Sequence, residues 1–234
     1  MTEPAPPTAP DGRPPTGPAA LPPVDVGPLA KLADRQMAEL ADHTPLTDDG
    51  KPLLDPAQSA RDLIARLVEE KLWIDAVSVL AHAMPKREAV WWGALIARQA
   101  LPEPPDRKEL MTLEAAEAWV RKPSEEARQV ALARGGAIRD TNAPSAWAAV
   151  AAGWATGSMV PKSEIDVPAQ PWMTGTAVFS AVMRGAMAEP ERALVRLRAA
   201  LVCGLDIADG GNGQSTPLSD TGPGAAGHGE GPSP

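Results

Sequence analysis

The residues best suited to chemistry in this chain crowd into PKREAVWWG, residues 85–93. Lys86 and Arg87 offer two cations, Glu88 a carboxylate and Trp91 an indole, with His82 one helical turn upstream. Such a set could receive an anion or a partner's carboxylate, because the free amides of a helix start favour negative charge. An indole would supply the wall of a pocket or interface. The two cations are also locally misplaced, since positive charge in a first helical turn opposes the macrodipole at about 0.3–1 kcal/mol each. Local inconsistency of this kind sometimes marks a functional site. The candidate anion- or partner-binding set is therefore His82, Lys86, Arg87, Glu88 and Trp91. A purely structural reading pairs Lys86 and Arg87 inside the domain with Glu69, Glu70, Asp75 or Glu88.

No other constellation rises to a catalytic or metal-binding pattern. The sequence lacks a nucleophile elbow, a phosphate-binding loop, a dinucleotide fingerprint and a zinc helix motif. His43 falls in a linker and His228 in the tail, and Glu69–Glu70 and Glu125–Glu126 are neighbours that diverge by about 100° on a helix. The single cysteine, Cys203, excludes an internal disulfide and sits in the apolar run ALVCGL as a small core residue. No catalytic residue, metal or cofactor is expected.

The elements that must position PKREAVWWG are helices. Asp55 followed by Pro56 predicts a cap and first turn, and Ala60, Leu63, Ile64, Leu67 and Val68 then share one face. A break near Lys71 precedes Trp73, Val77, Leu80, Ala81 and Met84 at helical spacing. Pro85 opens the next helix, which runs to about Leu101. On it Trp92, Leu95 and Ile96 form a core stripe, and Ala89, Gly93 and Ala97 a small-residue stripe that admits a close neighbour. Thr112 and Ser124 predict the caps of two more helices, the second stopped by Gly135–Gly136. Another begins near Pro144, and two last ones span roughly 173–188 and 190–208. All seven tryptophans lie on or beside these helices, and in a chain with one phenylalanine and no tyrosine they supply core bulk. The fold class is all-α, a compact bundle of about eight short helices packed as helical hairpins.

Composition places this bundle between two tails. Ten prolines in the first 28 residues exclude regular structure there, and eight glycines follow from Gly210 onward. The expected organisation is a disordered Pro-rich arm over 1–25, a helix plus linker over 26–51, an all-α domain over 52–210 and a disordered Gly-rich tail over 211–234. The first helix carries Val26, Leu29, Ala33, Met37 and Leu40 on one face. The segment 55–210 holds 18 Lys/Arg against 20 Asp/Glu, so most of the net −8 resides in the ends. A nearly neutral domain lacks the basic footprint of a nucleic-acid or anionic-lipid binder. Arg192, Arg196 and Arg198, beside Glu189 and Glu191, read as a solvated helix face. No apolar leader and no membrane-length apolar run occurs, so a cytoplasmic setting is expected.

The runs VLAHAMPKREAVWWGALIAR, EAAEAWVRKPSEEARQVALA, APSAWAAVAAGWATGSMVP and RLRAALVCGLDIADGG resemble successive blocks of an uncharacterised bacterial all-α domain family. The resemblance spans roughly residues 60–211 and centres on the PKREAVWW-like motif. It implies no activity. It does imply a loose association with type VI secretion and related multi-protein systems, hence an accessory role. The expectation is a non-enzymatic interaction or adaptor module with a protein partner. The alternative is a small-molecule or anion-binding domain, enzymatic or not, with its pocket at the start of the helix beginning at Pro85.

Overall fold

In a computed structural model, which describes residues 22–213 except 33, 141 and 161–164, the chain forms eight α-helices. They are α1 (Ala60–Glu69), α2 (Trp73–Ala83), α3 (Lys86–Gln99), α4 (Arg107–Arg121), α5 (Glu125–Ala137), α6 (Pro144–Gly153), α7 (Met173–Ala186) and α8 (Ala193–Asp209). The described residues contain only isolated β-bridges besides these helices and short 3-10 turns. The expected all-α bundle is what forms. The disordered arm and tail expected at the two ends fall, except for residues 22–25 and 211–213, outside the described residues.

α6 is central because it is small. Its sequence PSAWAAVAAG buries Ser145, Ala146, Ala148, Ala149, Ala151, Ala152 and Gly153, so α3, α4, α5 and α7 can all pack around it. Larger groups fill what remains. Trp92 and Ile96 of α3 are fully buried with Leu63, Ile64 and Leu67 of α1, Leu80 of α2 and Leu201 of α8. The Trp92 indole donates to the Ala200 carbonyl at 2.8 Å, which meets the demand of a buried N–H. Room for the ring exists because residue 204 is glycine; a Cβ there would stand 2.6 Å from it. Cys203 is wholly buried, and its burial, helped by the Asp206 charge, pushes the thiol up to about 12. It is an inert core residue.

Several boundaries differ from expectation. Ser59, not Asp55, caps α1, accepting from the Asp62 amide at 3.0 Å. Asp106 caps α4 through the Lys108 and Glu109 amides, and Thr112 is buried inside that helix. α5 runs through Gly135–Gly136 to Ala137, because Gly135 lies against the α6 backbone, where a Cβ would meet the Ala146 carbonyl at 2.9 Å. Arg196 is 3% exposed rather than solvated; it bonds Glu189 and the Gly185 carbonyl, while Arg198 lies 5.1 Å over the Trp73 ring.

The largest departure is the helix expected over 26–41. Three separate 3-10 turns, Ala30–Leu32, Met37–Glu39 and Ala41–His43, occupy that stretch instead. Two of its backbone bonds go to the start of α1 instead: Met37 N–H to the Gln58 carbonyl at 3.0 Å, and the Arg35 carbonyl to the Ala60 amide at 2.9 Å. The Gly27 carbonyl accepts from Arg61. Of the expected face, Leu29 and Met37 are fully buried, Val26 and Leu40 pack against the core, and Ala33 lies outside the described residues; Leu32 is buried as well. The following linker is fastened too. Asp75, 1% exposed in the first turn of α2, accepts from the Thr47 amide and hydroxyl at 2.6 and 2.7 Å.

Candidate functional site

Position on α3 decides what each residue of the motif can do. Arg87 and Trp91 are four apart and Glu88 and Trp91 three apart, so all three share one helical face. Together with Lys31, Val120, Arg121 and Ile207 they line an open cleft of about 330 Å³. Lys31 reaches Glu88 at 3.4 Å. The Trp91 indole is half-buried and donates to the Asn212 carbonyl at 3.0 Å, which makes it a fixed wall. Arg121 stands at the rim, 3.7 Å from Glu117. Glu117 is already gripped by Arg98 through two bonds of 2.6 and 2.9 Å, so the Arg121 guanidinium keeps most of its capacity.

Lys86 and His82 lie elsewhere. Lys86 donates to the Ala155 carbonyl at 2.9 Å, just past the end of α6. Arg87, while lining the cleft, sends its Nε to the Val120 carbonyl at 2.7 Å in the last turn of α4. Neither cation pairs with Glu69, Glu70, Asp75 or Glu88. Each instead caps the negative end of another helix, where a cation and a carbonyl attract. This accounts for cations at the start of α3. A hydrogen bond from a charged donor contributes about 1.5–3 kcal/mol when buried, more than the opposing dipole cost of about 0.3–1.

The same device recurs. Arg35 Nε donates to Ala83 at the end of α2, Arg128 Nη1 to Gly153 at the end of α6, and Arg196 Nη2 to Gly185 at the end of α7. Arg128 is 1% exposed and is neutralised by Glu125 through two bonds of 2.6 Å.

His82 forms the floor of a second cleft, of about 310 Å³, with Arg35, Glu39, His43, Gln170 and Trp172 around it. Its Nδ1 lies 2.8 Å from the Ser78 carbonyl and must donate there. Nε2 therefore accepts, and the Thr176 hydroxyl at 3.2 Å supplies the proton. Burial holds its pKa below the ordinary 6.5, and the nearby His43 adds to this. α7 crosses so near that a Cβ at Gly175 would stand 2.9 Å from the His82 Cα. His43 stacks on Trp172 at 5.0 Å. A third depression, of about 440 Å³, is apolar and runs between the starts of α2 and α8 past Ile74, Met187 and Leu194.

Sequence reasoning missed Lys31, Arg121 and Ile207 in the first cleft, and Arg35, His43 and Trp172 in the second. No local signal could have found them, because each comes from an element remote in sequence from its neighbours. Among the described residues, no group of three or more His, Cys, Asp or Glu is placed to hold a metal ion. No helix among them is long and apolar enough to cross a membrane.

An all-α bundle with helix ends cross-capped by cations and open clefts on its surface is the class of protein these features define. The chain belongs to a family of unknown function, DUF6931, whose profile matches residues 63–208, from α1 into the last turn of α8. No curated protein and no solved structure gives a significant match. The matched span contains Arg87, Glu88, Trp91, Arg121 and Ile207 of the first cleft; Lys31 lies outside it.

Proposed function

We propose that this protein is a non-enzymatic interaction module that serves as an accessory within a type VI secretion or similar multi-protein system. The observation that carries the interaction reading is the cleft at Arg87, Glu88 and Trp91. It is open, its floor is apolar and its rim is charged, as at the edge of a protein–protein contact. The exposed apolar side chains Ile74, Met187 and Leu194, 40, 38 and 57% accessible, add a second surface suited to contact. The multi-protein setting rests on the sequence resemblance alone.

The test is quantitative co-purification from the native cell with tagged full-length chain, wild type against Trp91→Ala. A partner retained by wild type and lost by Trp91→Ala, at equal melting temperature, is the expected result. Equal recovery with both chains would remove this cleft from the reading, and recovery of nothing by wild type would end the adaptor proposal. The second reading, a small-molecule or anion site, is favoured by the cleft where Arg35, His43 and His82 converge. A melting temperature that rises with added phosphate or acetate in wild type, but not in Arg35→Gln, would support it.

A further inference from the structure

Three cations surround the apolar floor of the first cleft, and they carry its net charge against the sign of the whole chain. Lys31, Arg87 and Arg121 line it with one carboxylate, Glu88, in a protein of formal charge −8. Arg87 is anchored by Nε alone, and neither of its Nη groups has a partner among the described residues. The planar fork is thus held in place by the end of α4 and still free to receive a carboxylate in two-point fashion. Between the cations, the half-buried Trp91 indole, backed by the core residues Val120 and Ile207, offers a floor for an aliphatic side chain.

We infer that this cleft docks an acidic peptide segment of a partner protein, one that sets a single aliphatic side chain on the Trp91 floor between carboxylates. The inference rests on the interaction reading above and names the partner's chemistry. Rim charges of this kind chiefly raise the association rate and select the sign of the partner. The apolar contact keeps the segment in place. A simple inorganic anion would satisfy Arg87 but leave the floor uncovered.

The probe is a fluorescein-labelled pentapeptide in which leucine is flanked on each side by two glutamates, titrated with the full chain by fluorescence anisotropy. The expected result is saturable binding that weakens about tenfold when Lys31 and Arg121 are both changed to Gln, and about tenfold again between about 50 and 300 mM salt. Replacing the peptide leucine by alanine should weaken binding several-fold. Lys31→Glu with Arg121→Glu should abolish it and admit the counterpart with lysine in place of glutamate. Neither Lys31 nor Arg121 belongs to the buried core, so unchanged melting temperatures separate loss of binding from loss of folding.

Equal binding of a glutamine-substituted peptide overturns the inference. So does indifference to the Lys31→Gln, Arg121→Gln pair, or full competition by equimolar inorganic phosphate. If no pentapeptide binds while Trp91→Ala still loses a co-purifying partner, only the acidic chemistry falls. If neither experiment shows binding, the interaction reading falls with it.

Discussion

Trp92 shows how a side chain can dominate without doing chemistry. It is wholly buried, bonded through its indole N–H and seated over Gly204. Trp92→Ala should cost about 3–5 kcal/mol in chemical denaturation, the usual range for an emptied aromatic site. Gly204→Ala should cost about 1–3 kcal/mol by overpacking against the ring. Gly93 contrasts with it. A Cβ at that position meets the Ala181 Cβ at 3.5 Å, an ordinary contact, so Gly93→Ala should be neutral or stabilising by up to about 1 kcal/mol through helix propensity. The small-residue stripe through Gly93 was legible in the sequence; that Gly204, on another helix, is the sterically required glycine was not. His82 carries the pH dependence at this scale. The unfolded chain takes up its proton first as pH falls, because the folded value lies below 6.5. Stability present above pH 6.5 is therefore lost as pH falls through the folded value. Melting temperature should drop on acidification from pH 6.5, and His82→Gln should flatten that drop. Glu125, held from 4.5 down to about 2 chiefly by its bonds to Arg128 and then Gln129, acts in a separate window below pH 4.5.

At the scale of the element, this protein joins helices end to side. The ends of α2, α4, α6 and α7 each receive a cation from another segment. Lys86→Met and Arg87→Met should each lower stability by about 1 kcal/mol, discounted from the buried value because both groups are partly solvated. Thermal unfolding of the single and paired variants would check this, and a stability gain from relief of the dipole clash would contradict it. The turn after α1 gives the opposite sign. Lys71 has φ 60°, and the Leu72 amide returns to the Leu67 carbonyl at 2.8 Å. Lys71→Gly should stabilise by about 0.5–1 kcal/mol, because glycine adopts that conformation without the Cβ penalty. A helix break near Lys71 was visible from the spacing of apolar residues. The cap at Ser59 was missed, since residues 58–60 pair with 35–37 and that pairing keeps the chain extended past Pro56.

For the whole molecule, the consequential feature is the segment before α1. Leu29, Leu32 and Met37 are each fully buried, and burying side chains of that size contributes about 1.5–3 kcal/mol apiece. Their sum is comparable to the entire stability of a domain, about 5–15 kcal/mol. A chain of residues 52–234 should therefore not fold cooperatively, whereas the full chain should show one cooperative thermal transition; circular dichroism distinguishes the two. What the sequence by itself determined was everything carried by local periodicity: the all-α class, the approximate place of most helices, the inward-facing residues, and Arg87, Glu88 and Trp91 on one face of α3. Those follow from the 3.6-residue repeat, which acts within a few turns. Tertiary structure alone decided that 26–41 breaks into short turns, because its backbone groups find partners around Gln58 and Ala60. It also decided that Lys86 and Arg87 serve the ends of α6 and α4, and that Lys31 and Arg121 complete the cleft. Such partners lie tens of residues away, and spacing along the chain holds no record of which helix end will arrive beside which cation.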